Sequence, residues 1–418
     1  MDLFVIIALL VVLSAIYSYI NARFIKLPGT IGIVTLAVSV SVLTILVDSL
    51  YPSVAKHLTL LAQNINFSRT VLNIMIGFLL FSAAFSLNTR RLKKEMRPVF
   101  VLSTIGVILS TAVFGSIFYG VTQLLTIQVP LVYCFLFGAL ISPTDPVSVH
   151  AIIKESKLPT NLETIISGES LFNDGIGLVL FITILEFIES GTADIDFVQA
   201  GLLFVREVFG GLVLGIVFGY VGFRLMKTIT DFQTIVLISV ALVMSISVIS
   251  TFLHLSIPLA VVSAGLFAGN QSINIDSTER SHQSLEKFWQ LIDEMLNTIL
   301  FVMIGLQMIN LPYLNNYWLI GLIGIVIALM ARWLSILIPL TFFRKIVNIK
   351  FRNINVLTWA GLRGGISIAL ALSLPYSPYR HIILAGAYFI VIFSVIVQGL
   401  TLNKVINASL PAEEAESK

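Results

Sequence analysis

The sequence predicts an all-α polytopic membrane protein with 13 transmembrane helices. Of its 418 residues, 57% are hydrophobic and only 11% are charged, and the mean hydropathy is +0.99. A soluble domain carries about 25% charged residues and could not bury this much apolar surface. The apolar runs are about 20 residues long and lack the alternation of β-barrel strands, so we expect helical spans.

Thirteen apolar segments follow one another with short connections and no long polar linker. We therefore expect one membrane domain over residues 1–403, with interleaved subdomains, and a short cytoplasmic tail over 404–418. The segments are 3–20, 30–48, 70–87, 99–119, 131–153, 162–189, 198–223, 232–252, 257–270, 289–310, 317–342, 355–374 and 381–402.

Lys and Arg are distributed unevenly between the two sets of connections. Connections after odd-numbered segments, together with the tail, hold 19 basic residues, whereas the opposite set holds Lys56, Arg69 and Arg380. Because basic loops stay in the cytoplasm, the N-terminus is predicted outside and the C-terminus inside.

Two segments are predicted to be broken. The fifth contains "ISPTDPVSV", in which Pro143 and Pro146 each remove a backbone donor and clash with the preceding turn. The twelfth contains "AGLRGGISIAL", in which Gly361, Gly364 and Gly365 loosen the backbone. Broken helices at matching places in two halves indicate two inverted repeats with a binding site at the crossing breaks.

Segment 6 contains the unusual stretch "SGESLFNDGIG", which places two acids at bilayer depth. Ser170 and Asp174 are four residues apart and share one helix face, and Glu169 and Asn173 share the next face. Burial disfavours the charged form of Asp174, and a cation favours it, so this carboxylate can hold a proton or a monovalent cation in turn. The alternative is a protonated Asp174 that only bonds a neighbouring helix.

Asp145 and Thr144 lie in the break of segment 5, where freed carbonyls and a carboxylate could coordinate a cation. Alternatively, Asp145 caps a helix end next to Pro146, and Thr144 bonds its own backbone.

Two arginines fall within predicted spans. Arg332 cannot lose its charge, so an acid partner is expected, and Glu169 is the candidate for a structural ion pair. Arg363 would then compensate charge at the broken helix of segment 12. Either arginine could instead extend its head group to the membrane interface.

A further polar group lies at one end of segment 10, where Asp293 and Glu294 are interpreted as interfacial charges and Asn297 lies one turn deeper. The absence of Walker, HExxH, GxSxG and TVGYG motifs argues against an ATP-driven pump, a zinc enzyme, a hydrolase and a potassium channel. We expect no catalytic residues and no cofactor.

The stretches "SPTDPV", "SGESLFNDG", "LIDEMLNTILFVMIGLQ", "MARWLS" and "GLRGGISIALALSLP" occur in the order seen in one family and cover segments 5 to 12. Together they resemble the monovalent cation/proton antiporters that include bacterial NhaP-type Na⁺/H⁺ antiporters and sodium/hydrogen exchangers. The resemblance implies a homodimer, a mobile core domain and electroneutral exchange, with Asn173 bracing the broken helix. It also implies a Na⁺ site at Asp174, Asp145, Thr144 and Ser170.

One position departs from that resemblance. Many members of the family carry an acid in the third segment, where this chain has Ser82 in "FLLFSAAFSL". The expected activity is exchange of cytoplasmic Na⁺ for external H⁺ across the cell membrane. The alternatives are exchange of K⁺, or of Na⁺, K⁺ and Li⁺ together, on the same scaffold, and a cation channel.

Overall fold

The computed structural model describes residues 3–50, 67–146, 149, 153, 156, 158–190, 197–269, 278–309, 317–347 and 349–409, and these residues form helices and connections without a strand. The helices are α1 (Leu3–Ile20), α2 (Gly29–Leu50), α3 (Phe67–Ser86), α4 (Thr89–Lys94), α5 (Met96–Leu124), α6 (Leu131–Ile141), α7 (Thr160–Ser190), α8 (Phe197–Lys227), α9 (Phe232–Leu253), α10 (Ile257–Gly269), α11 (Thr278–Ile309), α12 (Trp318–Phe342), α13 (Arg344–Val347), α14 (Ile354–Trp359), α15 (Gly365–Ser373) and α16 (Arg380–Ser409).

Within the described ranges, ten helices are long and apolar enough to cross a membrane, and this confirms an all-helical multi-pass protein. They are α1, α2, α3, α5, α7, α8, α9, α11, α12 and α16. Two further apolar helices, α6 and α10, are shorter. The helices α14 and α15 are separate and shorter still.

Two helices extend well beyond the segments predicted from hydropathy. Helix α11 begins at Thr278, where the prediction began at residue 289, because its first turns are amphipathic and polar. Helix α16 ends at Ser409 rather than at 402, and its last turns mix Asn and Lys with apolar residues. Residues 410–418 of the predicted tail lie outside the described part of the chain.

Close helix packing depends on small residues where α8 crosses α10. A Cβ on Gly215 would lie 2.0 Å from the Ala260 carbonyl oxygen, and one on Gly219 would lie 2.9 Å from the Ala264 Cα. These glycines are one turn apart on α8, so they form a groove that admits the α10 backbone. The spacing is the one by which membrane helices associate without large side chains.

Outside the spans, Asp231 caps the N-terminus of α9. Its Oδ2 accepts hydrogen bonds from the Thr234 backbone N–H (2.9 Å) and from the Thr234 hydroxyl (2.6 Å). These bonds favour the ionised carboxylate and hold the pKa of Asp231 below its ordinary value. Asp231 is therefore a carboxylate with a capping role at the surface, and it provides a control for the buried acids below.

Candidate functional site

The interruptions of two helical segments lie against each other. Helix α6 ends at Ile141, and the chain is non-helical from Ser142 to Asp145. Helix α14 ends at Trp359, and α15 begins at Gly365 after a non-helical stretch. The interruptions thus occur where the proline pair and the glycine cluster predicted them.

A backbone hydrogen bond joins these stretches, because the Asp145 N–H donates to the Leu362 carbonyl (2.7 Å). Gly364 also approaches Asp145 very closely: a Cβ on Gly364 would lie 2.5 Å from the Asp145 Oδ2. A side chain at position 364 would therefore displace the Asp145 carboxylate.

Arg363 lies in the interruption between α14 and α15, and its side chain reaches the C-terminal end of α6. Its Nη1 donates to the carbonyl oxygens of Ser142 and of Pro143, the latter at 2.9 Å. The interruption leaves these carbonyls without helical partners, and a buried carbonyl without a donor is unfavourable. The guanidinium supplies the missing donors and places a fixed positive charge in the interior.

Two hydrogen-bonded polar side chains of α16 hold the backbone at Arg363. The Arg363 N–H donates to the Ser394 hydroxyl (2.8 Å), which donates to the Gln398 Oε1 (2.6 Å). Sequence reasoning missed Ser394 and Gln398, although an amide in a long apolar span was an available signal.

Asp174 lies on α7 beside the two interruptions and is 2% exposed. Its Oδ2 is buried and has no hydrogen-bond partner. A cavity of about 20 Å³ adjoins it, lined also by Asp145, Asn297 and Ser367, and a volume near 15 Å³ already admits one water-sized particle. The charges of Asp145 and Arg363 both act on Asp174. The site therefore combines a carboxylate oxygen that lacks a hydrogen-bond partner with an adjoining space that fits one small ion.

The hydroxyl and amide residues predicted for the ion site form a hydrogen-bonded group of their own. Thr144 Oγ1 accepts from Asn173 Nδ2 (2.7 Å) and bonds Ser170 Oγ (2.8 Å). The Thr144 N–H donates to Asn173 Oδ1 (3.2 Å). This group ties α7 to the interruption after α6.

Packing of α7 against that interruption is equally close. A Cβ on Gly177 would lie 2.2 Å from the Pro143 Cγ. The predicted site residues are therefore divided into two neighbouring groups, with Asp174 and Asp145 at the small cavity and Thr144, Ser170 and Asn173 in the hydrogen-bonded tie.

Glu169 and Arg332 form a buried ion pair with two parallel hydrogen bonds. The Arg332 Nη1 donates to Glu169 Oε1, and the Arg332 Nη2 donates to Glu169 Oε2 at 2.8 Å. Both oxygens of the carboxylate are engaged, and the pair lies away from solvent. Gly361 packs on the guanidinium, since a Cβ there would lie 2.7 Å from Arg332 Nε.

A second and larger cavity, of about 510 Å³, reaches towards the small one. It begins beside the C-terminal ends of α1 and α3 and is lined by Ser82, Gln290, Asp293, Glu294 and Asn297 among other residues. The cavity therefore opens on the side of the basic connections that follow α1 and α3.

The polar residues of α11 differ in exposure within this cavity. Glu294 is exposed, as an interfacial charge would be, Asp293 is only partly exposed, and Asn297 is 5% exposed. Asn297 lines both cavities. Ser82 donates its hydroxyl hydrogen to the Trp289 carbonyl (2.8 Å), so it is held by α11 at the cavity wall.

Comparison with protein families gives one match over nearly the whole chain. The family described as "Sodium/hydrogen exchanger, transmembrane" matches residues 7–408. The Na⁺/H⁺ antiporter NhaP of Pseudomonas aeruginosa is 37% identical, and the alignment covers 98% of each protein. The Na⁺/H⁺ antiporter NhaH of Halobacillus aidingensis is 32% identical over 97% of each.

A solved structure shares the fold. The sodium proton antiporter MjNhaP1 of Methanocaldococcus jannaschii superimposes with a TM-score of 0.75 and covers 97% of this chain and 99% of its own. The identity is 20%, so this likeness speaks to the arrangement of helices alone.

Proposed function

Because the chain belongs to the sodium/hydrogen exchanger family, we propose that it is a secondary antiporter that exchanges cytoplasmic Na⁺ for external H⁺. The observation that carries the proposal is the buried Oδ2 of Asp174, which has no hydrogen-bond partner, in a residue that lines a cavity of ionic size. Of the two acids on α7 at this depth, Asp174 is the one whose carboxylate retains an unpartnered oxygen.

Proton and cation compete for Asp174 in the proposed cycle. A bare carboxylate in the membrane interior costs several kcal/mol. The site therefore switches its access from one side of the membrane to the other only when Asp174 is protonated or bound to a cation. Na⁺ entering from the cytoplasm displaces the proton, and protonation on the outside displaces Na⁺. The cost of the empty, charged state prevents a leak.

The charges around the site fit a one-for-one exchange. Arg363 contributes a fixed positive charge that acts on Asp174, whereas the charge of Arg332 is matched by Glu169. Because the protonated and the Na⁺-bound forms of Asp174 carry the same charge, each cycle moves no net charge. The proposed exchange is therefore electroneutral.

The Na⁺ ligands are proposed to come from four side chains. Asp174 and Asp145 line the small cavity, and a hard monovalent cation takes oxygen ligands. Thr144 and Ser170 complete the set from the adjoining hydrogen-bonded tie. Asn173 keeps this tie in place and thereby fixes the interruption after α6.

We also propose the number of membrane crossings and their arrangement in repeats. Ten long spans, the shorter α6 and α10, and the interrupted pair α14–α15 together make 13 crossings. The contact between the two interruptions fits two inverted repeats whose broken helices cross at the site.

We further propose a homodimer with a core subdomain that moves against a dimerisation subdomain within one membrane domain (1–403), followed by a cytoplasmic tail (404–418). The N-terminus lies outside, and the protein resides in the cell membrane. The larger cavity then opens to the cytoplasm and represents the inward-facing state.

The proposal is tested in proteoliposomes with an internal pH dye and an imposed pH difference, to which Na⁺, K⁺ and Li⁺ are added in turn. Na⁺ is expected to drive proton movement in the wild type. Asp174→Asn should abolish it, because an amide does not take up and release a proton at neutral pH and has no charge to attract the cation.

Asp231→Asn is the matched control, since it changes a surface carboxylate to an amide that also caps a helix. This variant should transport like the wild type. Full activity in Asp174→Asn would refute the assignment, and a response to K⁺ alone would move the protein to the K⁺/H⁺ alternative. Cation flux without proton movement would indicate a channel.

A further inference from the structure

A second carboxylate, which is only partly exposed, lines the larger cavity, and that cavity shares Asn297 with the small cavity at Asp174. Asp293 lines the larger cavity, and its Oδ1 is buried without a hydrogen-bond partner. Neither the proposed exchange at Asp174 nor the packing of α11 uses this oxygen. A buried carboxylate oxygen without a donor is costly in a membrane helix, so a ligand for it is expected.

Helical spacing connects Asp293 to the ion site. Gln290, Asp293 and Asn297 are three and four residues apart, so they lie in a row on one face of α11. All three line the larger cavity, and Asn297 also lines the small cavity beside Asp174. The Asn297 Nδ2 donates to the Asp293 backbone carbonyl (2.8 Å), which fixes the orientation of the amide.

The local charge favours a cation over an anion. Asp145 and Glu294 are the carboxylates whose charges act on Asp293. Ser82 and Gln290 contribute neutral oxygens on the same wall, and no Lys or Arg lines this cavity among the described residues. A monovalent cation with part of its water shell fits an acid, an amide and hydroxyl groups in a cavity of this size.

We propose that Asp293 is a second cation-binding carboxylate, which holds a monovalent cation in the larger cavity before it passes Asn297 to Asp174. This inference rests on the proposed antiport for its role in transport. The site itself is a separate binding site that survives loss of Asp174. Its effect is on capture of the cation, because Asp293 lies outside the small cavity where the exchange takes place.

Binding of ²²Na⁺ to the purified protein in detergent tests the second site directly. Asp174→Asn is expected to retain binding of lower affinity, and Asp174→Asn/Asp293→Asn should lose it. The matched control is Asp174→Asn/Asp231→Asn, which makes the same change at an exposed capping carboxylate that lines neither cavity and should bind like Asp174→Asn. Loss of all binding in Asp174→Asn, or equal binding with and without Asp293, overturns the proposal.

Transport in proteoliposomes then separates capture from turnover. Asp293→Asn should raise the half-saturating Na⁺ concentration about tenfold, as expected for loss of an attractive charge near the path, and leave the maximal rate within about twofold. Asp293→Glu should restore the affinity in large part. If Asp293 had only a structural role, Asp293→Asn would instead lower the maximal rate and the yield of folded protein.

The two proposals fail in different ways. If the wild type moves no protons on addition of cations, the antiport proposal fails, and the binding experiment still decides the second site. If the wild type transports but Asp293→Asn has wild-type affinity, the second site is wrong and the antiport proposal stands.

Discussion

Two carboxylates on the same helix, Glu169 and Asp174, are both buried but differ in their partners. Both oxygens of Glu169 receive hydrogen bonds from one guanidinium, whereas Oδ2 of Asp174 has no partner and adjoins a small cavity. The positions are five residues apart, so the surrounding protein rather than the depth on the helix makes the difference. Saturation of hydrogen bonds separates a structural acid from one that is free to bind an ion.

The two buried arginines repeat this contrast. Arg332 is matched by a carboxylate, whereas Arg363 is held by neutral carbonyl groups of Ser142 and Pro143. The charge of Arg363 therefore remains available to act on Asp174. One arginine stabilises the fold, and the other sets the electrostatic environment of the ion site.

The largest expected effect is the loss of stability on replacement of Glu169, the acid with a structural role. Glu169→Gln leaves the Arg332 charge buried without a counter-charge, and breaking a buried pair in this way costs about 3–5 kcal/mol. Thermal unfolding in detergent should show a large fall in Tm. Glu186→Gln, at an exposed position of the same helix, is the matched control and should unfold like the wild type.

A double-mutant cycle sharpens this test. Glu169→Gln combined with Arg332→Met removes both charges, so the pair should be less destabilising than Glu169→Gln alone. If the two changes simply add, the ion pair does not couple these residues, and the contrast between Glu169 and Asp174 loses its basis.

A smaller effect, on Na⁺ affinity, is expected for a substitution beside the Asp145 carboxylate. The backbone at Gly364 is extended with a negative φ, so alanine is tolerated by the backbone, but its Cβ would lie 2.5 Å from the Asp145 Oδ2. Gly364→Ala should therefore move that carboxylate and weaken apparent Na⁺ affinity by roughly tenfold, equivalent to about 1.4 kcal/mol. Transport titrated with Na⁺ in proteoliposomes measures it.

Gly120→Ala provides the matched control, because nothing lies within 4 Å of a Cβ at that position. Its Na⁺ affinity should equal that of the wild type. Wild-type affinity in Gly364→Ala as well would show that the position of the Asp145 carboxylate does not matter for the cation.

Much of the fold followed from local features of the sequence. Hydropathy located the spans because the membrane demands long apolar helices, and it failed at the first turns of α11 and the last turns of α16, where amphipathic helix continues into polar sequence. Pro143 and Gly361 marked the two interruptions because proline and glycine act on the backbone at their own positions.

The site was less accessible to sequence reasoning. The face shared by Ser170 and Asp174 follows from helical periodicity, but the choice of partner for each buried charge depends on contacts between distant segments. Arg363 could be identified as a buried cation, whereas its bonds to the Ser142 and Pro143 carbonyls required the fold. The sequence alone favours an interfacial charge at Asp293, because the cavity that it lines is formed by several helices.

The central claim is that the proton and the cation occupy the Asp174 carboxylate in turn. Proton release on addition of Na⁺ to the weakly buffered, detergent-purified protein tests it most directly. The account predicts that about one proton leaves for each Na⁺ bound at this site, and that Asp174→Asn releases none. Binding of Na⁺ at wild-type affinity without release of a proton, or unchanged release in Asp174→Asn, would contradict it.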